Sequence, residues 1–565
     1  MTRAYTLALC GVAVVLGAVT GCHRGGEDRL RQGDRMVTAM ISDPKTFNPL
    51  LSVDSASSEA LDAVFDGLVR LNPKTTLPEP MLASSWEHDE AGTTWTFHLR
   101  EDVTWHDGAP FTADDVAFTI QAIFDPSVPN SSKHVLTVGG QPIRAEVVDP
   151  HTVKLILAEP FAPLLNSIGF GILPKHILGA PLVHGTFAQT WGIDTPPAKI
   201  VGTGPYRLSR YVPAQLLQYT RNPLYWMRDE NRSALPRLAE RTTLIVPDQN
   251  TIYLKFLDRQ LHVYSPRPEE VDDIRERSKE LDVTLAKIGL DTGMLFVSFN
   301  RNPAHYVKGE QRDPRLDWFT DPKFVQAIAY SVDAKSMIQN TYFGYGEPAT
   351  SAISPENTVF FNPNLKPYEY DLEAARRLLD EGEYRDRDGD GFREDAKGRV
   401  IEFELSTNAG NQVRERLCSI LKEDWAKLGL KVNYRPLDFA TLVEKLSSNF
   451  EWDAMVMGFT GGVEPHNGSN LLRSSGNLHL WQPNQEKPAT PWEAEIDREI
   501  DLGARELDTQ KRRVHYWRIQ EILHRELPMI QLVRQQRFVA AKSYLADFTP
   551  TVWGLYQPER IAIQP

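Results

Sequence analysis

Residues 95–118 read WTFHLREDVTWHDGAPFTADDVAF, and the fold is decided by how this run is parsed. Trp95, Phe97 and Leu99 alternate with Thr96, His98 and Arg100, a period of two that predicts a strand with one buried face. Asp107-Gly108 supplies a turn and Pro110 stiffens the chain. Thr112-Ala113-Asp114-Asp115 then has the character of a capping box, so a helix is expected to follow with Val116, Ile120 and Ile123 on its apolar stripe. Strand, turn and helix follow one another without an organised reactive group. The segment therefore reads as architecture.

Working outward, the same alternation of strand and helix recurs. Residues 36–72 predict a strand, the Pro-containing turn Asp43 to Pro49 and an amphipathic helix through Leu61, Val64, Phe65 and Leu68. Thr152 to Leu157 reads as a strand, and Val201-Gly202-Thr203-Gly204-Pro205-Tyr206 as a tight passage into another. From Asp291 a second body begins with the strand Leu295 to Phe299. Asp321-Pro322 opens a helix through Val325, Ile328 and Ala329, and another runs from Asp371 to Gly382. Asn411 to Leu428 is the clearest long amphipathic helix, closed by Gly429 and followed by a strand from Lys431. The last clear helix spans about Thr509 to Leu527 before Pro528. Mixed α/β sheets follow from this order, no repeat of solenoid period is present, and 565 residues suggest roughly three or four domain-sized units.

Composition narrows the function. A hydrophobic content of 41% with 24% charged residues describes a globular chain, and a formal charge of −13 argues against a nucleic-acid partner, which requires a basic footprint. Met1-Thr2-Arg3 precedes an apolar run from Ala4 through Thr20, shorter than a spanning helix needs, and the run ends in Val19-Thr20-Gly21-Cys22. Residues 1–21 are accordingly expected to be a lipoprotein signal peptide, with Cys22 the lipidated first residue and residues 22–35 a tether. Cys10 leaves with the signal, so Cys418 remains single and the exported body is held without an internal disulfide.

Catalytic motifs fail one by one. Asp386-Arg387-Asp388-Gly389-Asp390-Gly391 begins like a calcium loop, but Lys397 stands at the twelfth position where an EF-hand needs a bidentate Glu. A solvated hairpin turn is the expectation, with Glu394 and Asp395 close by. Ser419-Ile420-Leu421-Lys422 matches the Ser-x-x-Lys of penicillin-binding enzymes, yet Lys-Thr-Gly is absent and Ser419 sits inside the long helix. Gly-x-Ser-x-Gly, Gly-x-x-x-x-Gly-Lys and His-Glu-x-x-His are also absent. No catalytic residue, metal or cofactor is expected.

Several segments together carry a resemblance: Trp86, the run from Trp95 to Phe118, Val201 to Tyr206, Arg221-Asn222-Pro223-Leu224-Tyr225-Trp226, Leu295 to Asn300, Val325 to Asp333, and Gly344-Tyr345-Gly346-Glu347-Pro348-Ala349. In this order they resemble the extracytoplasmic oligopeptide/dipeptide solute-binding proteins, family 5, of ABC importers. The resemblance implies an α/β fold of the type II periplasmic-binding-protein kind, two lobes with an additional domain inserted in the first. Transferred here, lobe I combines 36–75, 203–290 and 536–565, the additional domain is 76–202, and lobe II is 291–535. It also implies a peptide or peptide-like solute closed between the lobes, ABC permease subunits as partners, and a monomer in the periplasm, lipid-anchored to a membrane surface. A non-peptide solute on the same scaffold (metal chelate, glycan fragment or opine-like compound), a sensor or chaperone role, and a Ser419/Lys422 cell-wall enzyme are the alternatives.

The family places ligand contacts on positions matching Thr46, Phe47 and Asn48 of the first lobe, Asn408, Ala409, Gly410 and Asn411, and the segment Gly458 to Pro465, with Phe459, Thr460, Gly461, Gly462 and Glu464 as candidates. In several peptide-binding relatives a carboxylate four residues before that Pro pairs with the peptide's amino terminus. Gly461 occupies the position here, and Glu464 is the nearest acid.

Overall fold

The computed structural model describes residues 30–31 and 33–564. The expected signal peptide at 1–21, Cys22 and the tether up to residue 29 lie outside the described residues. The opening stretch forms the strand Thr94–Leu99, whose Trp95, Phe97 and Leu99 are buried, within a four-stranded antiparallel sheet with Ala83–His88, Thr152–Ile156 and Arg144–Asp149. The helix follows at Ala113–Phe124. Its start is fixed by the buried Asp115, whose carboxylate accepts from the Thr112 N–H at 3.0 Å, the Lys175 N–H at 2.9 Å and the Trp105 indole N–H at 3.3 Å. One acid thus closes the helix and pins two loops against it.

This sheet shares its core with the main sheet of the first lobe, which orders Arg35–Met40, Glu240–Ile245, Leu216–Arg221 and Tyr206–Val212. The first pair is parallel and the others antiparallel. A second first-lobe sheet orders Val263–Tyr264, Val533–Lys542 and Val283–Leu290. The expected helix through Leu68 is corrected here: the helix is Ser55–Leu61 only. Beyond it the backbone carbonyls of Ala63 and Val64 accept from the N–H groups of Tyr206 at 3.0 Å and Gly204 at 2.9 Å, so the chain leaves the helix to pair with the Gly-Thr-Gly passage. A Cβ on Gly202 would lie 1.9 Å from the Val64 carbonyl oxygen, which explains why a glycine stands there.

The second lobe is built on a five-stranded sheet in the order Lys431–Leu437, Glu402–Asn408, Ala454–Phe459, Met294–Phe299 and Met529–Gln531. Its strands Ala454–Phe459 and Met294–Phe299 are near-continuous apolar runs and are buried on both faces. Val297, Phe299, Ala454 and Val456 pack under the helices Pro322–Tyr330, Leu372–Glu381 and Gln412–Lys427, while Phe296, Met455 and Met457 pack under Pro491–Arg505 and Thr509–Glu526. Helix Pro491–Arg505 lacks a continuous apolar stripe in the sequence. Its buried Glu493 and Glu499 break the apolar stripe that would have revealed it. Cys418 is buried in this core, and burial pushes its thiol pKa far upward. Among the described residues no helix is long and apolar enough to cross a membrane.

Candidate functional site

Two crossings join the lobes in successive long strands. Val283–Leu290 continues into Met294–Phe299 through Asp291-Thr292-Gly293, and Met529–Gln531 continues into Val533–Lys542 through Leu532. The buried Arg534 clamps both. Its guanidinium donates to the carbonyls of Asp291 at 3.2 Å, Thr292 at 3.4 Å, Gly293, Ser351 at 2.8 Å and Ala352 at 3.0 Å. Burial lowers its pKa to about 10 against the opposing pull of Asp291, so it remains a cation at neutral pH.

Away from these crossings the additional domain meets the second lobe directly. The Ala162 N–H donates to the Ala504 carbonyl at 2.7 Å, Arg505 pairs with Glu159 at 2.7 Å, and Phe161 sets its ring edge-on to His466 at 5.4 Å. Burial holds the His466 pKa at about 4, so the ring is neutral.

On the first lobe lies a cavity of about 760 Å³, lined by the segments 36–41, 59–81, 205–206, 241–267 and 539–559. Its polar wall holds Glu59, Asp62, Asp66 and Arg241, and its apolar wall includes Tyr264 and Trp553. The Trp553 indole N–H donates to the Glu356 carbonyl in the second lobe at 3.1 Å, which ties the cavity wall to the opposite lobe. Burial raises the pKa of all three acids, and that of Asp66, with Glu559 adding repulsion, to about 7. One oxygen of the Asp66 carboxylate is buried without a hydrogen-bond partner.

The residues expected at the cleft fall into two groups, and none of them lines this cavity. On the second lobe, Glu402–Asn408 runs parallel to Ala454–Phe459, so their carboxyl ends emerge on one edge of the sheet, where α/β folds bind ligands. Arg414 joins these ends, donating to the Asn408 Oδ1 at 2.8 Å and the Gly458 carbonyl at 3.3 Å. Asn411 caps the helix Gln412–Lys427 through the Arg414 N–H at 3.1 Å, Phe459 stacks on Phe296, and Ala409, Gly410, Thr460 and Gly462 are exposed. On the first lobe, Phe47 and Asn48 are buried within the fold: the Phe47 ring packs edge-on against Tyr211, and the Asn48 Nδ2 donates to Thr190 Oγ1 at 3.0 Å. Thr46 is half-buried beside Trp191.

Gly461 and Glu464 bear on recognition of an amine. A Cβ on Gly461 would stand 1.8 Å from the Thr292 carbonyl oxygen, so this backbone course at the lobe crossing admits no side chain. The Glu464 carboxylate is buried against Arg512, which donates to its oxygens at 2.6 Å and 2.8 Å, and it also accepts from Asn166 of the additional domain at 3.3 Å. It is committed to the fold. Ser419 is exposed on its helix and its hydroxyl donates back to the Glu415 carbonyl at 3.0 Å, the ordinary arrangement of a helical serine. The acids Glu59, Asp62 and Asp66 carry no signal in the sequence, because the helix ends at Leu61 and only the fold brings them to one cavity wall.

Comparison with known proteins agrees with this geometry. The profile of the bacterial extracellular solute-binding proteins, family 5 Middle, matches residues 78–479. The chain is 26% identical to the dipeptide-binding protein of Escherichia coli K12 over 554 residues, covering 94% of this chain and 95% of that protein. It is 28% identical to heme-binding protein A of Haemophilus influenzae over 581 residues, covering 98% and 96%. The structure of the oligopeptide-binding protein AppA of Bacillus subtilis, in complex with a nonapeptide, superposes with a TM-score of 0.69 at 22% identity over 94% of this chain and 99% of that one. That likeness shows the fold to be the two-lobed type II periplasmic-binding architecture. Two lobes joined by two crossings, a first-lobe cavity tied to the second lobe through Trp553, and a family profile spanning most of the chain lead to one conclusion: the protein belongs to family 5 of the bacterial extracellular solute-binding proteins, the substrate-binding components of ABC importers.

Proposed function

We propose that this protein captures a peptide or peptide-like solute between its lobes and delivers it to ABC permease subunits, working as a monomer anchored outside the cytoplasm through a lipid on Cys22. The domain division is 36–75, 203–290 and 536–565 for lobe I, 76–202 for the additional domain and 291–535 for lobe II. The observation that carries the reading is the large first-lobe cavity, whose wall is tied to the second lobe by the Trp553–Glu356 bond beside the two strand crossings, because ligand contacts made to both lobes are what shift such an equilibrium toward closure. Moving from mostly open to mostly closed takes about 5.5 kcal/mol of differential binding. Asn408 to Asn411 and Phe459 to Gly462 supply the second-lobe contacts, with exposed backbone suited to hold a ligand main chain as an added strand. Thr46 is the first-lobe candidate still partly exposed.

The Gly461 position has no carboxylate and Glu464 is paired with Arg512, so the exposed acids Glu59 and Asp62 of the first-lobe cavity are the groups assigned to a cationic end of the solute. Relatives named for dipeptide and for heme binding frame the two solute classes, and the peptide class is favoured by these carboxylates, which suit an ammonium group. Native mass spectrometry of the purified protein identifies any co-purifying solute. Peptides are expected; a macrocycle or a metal chelate in their place would overturn the solute class. Intact-mass analysis of membrane-extracted protein tests the anchor, with a diacylglycerol-modified Cys22 at the amino terminus as the expected species.

A further inference from the structure

We propose that the hairpin Asp386–Glu394 is a calcium site on the second lobe, separate from the solute cavity. Carboxylate oxygens of Asp386, Asp388, Asp390 and Glu394 all lie within 4.8 Å of one another. The chain reverses here as a hairpin, with Arg385 and Glu394 exchanging backbone hydrogen bonds at 2.9 Å each, so the ninth residue of the motif folds back onto the first. Gly389 and Gly391, at φ of +83° and +92°, allow the reversal. An EF-hand continues into a helix and needs its bidentate Glu at the twelfth position; in this hairpin Glu394 reaches the same ring of oxygens from the ninth, and Lys397 is irrelevant to it.

The second observation is Glu394 itself. Its side chain is buried at 4% exposure, one oxygen accepts from the Arg387 N–H at 2.8 Å, and the other has no hydrogen-bond partner. A buried carboxylate oxygen left unpaired among three further carboxylates calls for a cation. The protein does not supply one. Arg385 and Arg387 pair with Glu383, Arg393 with Asp380 and Arg399 with Asp395, and among the described residues no Lys, Arg or His side chain forms an ion pair with any of the four carboxylates.

An all-oxygen ligand set rich in carboxylates on a surface hairpin suits calcium, which accepts about six to eight oxygens in irregular geometry. Magnesium demands a regular octahedron and keeps its waters. The ion would fasten the hairpin to the lobe core, because the neighbouring Asp395 accepts from the buried Trp318 indole N–H at 3.2 Å.

That indole gives the assay its signal. Full-length protein, stripped with chelator and desalted, is titrated with terbium under tryptophan excitation, and its thermal midpoint is measured in chelator, in about 2 mM calcium chloride and in the same magnesium chloride, well above the affinity range of extracellular calcium modules. Sensitised terbium emission displaced by calcium, and a midpoint raised by calcium but not by magnesium, are expected; both effects should vanish in Asp390→Asn and Glu394→Gln. Asp390 is exposed, so its variant keeps the fold, as circular dichroism would verify. An unchanged midpoint between calcium and chelator, an equal response to magnesium, or persistence of the calcium effect in Asp390→Asn would each overturn the proposal.

Discussion

Replacing Arg512 by methionine removes the cation from a pair sealed inside the second lobe while keeping an unbranched chain of similar reach. The Glu464 and Arg512 side chains are 1% and 5% exposed, so the carboxylate left behind has no access to bulk water. It would lose bonds of 2.6 Å and 2.8 Å and keep only the His466 N–H at 2.9 Å and the Asn166 amide at 3.3 Å. The methionine still fills the slot between the Phe360 and Tyr516 rings, which lie 5.1 Å and 5.3 Å from the guanidinium carbon, so the penalty is electrostatic rather than a cavity. An uncompensated buried charge costs about 3–5 kcal/mol. Glu464→Gln strands the Arg512 cation with the Gly503 carbonyl and should be costly in the same way. The double variant removes both charges and should cost less than the sum of the singles by about 1–3 kcal/mol. Urea unfolding followed by tryptophan fluorescence measures all three. A loss below about 1 kcal/mol for Arg512→Met would mean that water reaches the pair and that the burial argument is wrong.

Gly202→Ala should destabilise the first lobe by about 1–3 kcal/mol or prevent its folding, since the added methyl meets the Val64 carbonyl at 1.9 Å, and a normal urea midpoint would contradict the close approach. Asp66, raised above its unfolded pKa to about 7 chiefly by burial, binds its proton more tightly in the folded state, so its contribution to stability is present below about pH 4 and is lost as pH rises toward 7; Asp66→Asn should therefore gain on the wild type between urea midpoints taken at pH 5 and pH 8. Trp553→Phe deletes the bond to Glu356 across the lobes, worth about 1 kcal/mol, and should weaken solute affinity about fivefold by calorimetry, whereas unchanged affinity would place that bond outside closure.

Much of the architecture was legible because local signals agreed with tertiary demands. Trp95, Phe97 and Leu99 alternate for the reason that their strand has one face on a core, and Asn411 to Leu428 carries its own cap, stripe and closing glycine. Where a helix continued on paper past Leu61, the competing hydrogen bonds came from Gly204 and Tyr206, far along the chain, and no local pattern announces them. Glu493 and Glu499 hid a helix because buried hydrogen-bonded acids look like surface residues in a sequence. The same blindness governed the site. Glu464 reads as a loop acid until Arg512 is seen to face it, and the cavity assembles residues from the first strand, the second sheet and the carboxyl-terminal segment, which meet only after folding.

Small-angle scattering of the purified protein, first freed of bound solute and then saturated with the solute that native mass spectrometry identifies, tests the lobes' closure most directly. The radius of gyration should fall on saturation, with the excess density in a matching crystal structure enclosed between the first-lobe cavity and the Phe459 to Gly462 edge of the second lobe. Identical scattering curves, with the solute seated on an open surface of one lobe, would contradict the account.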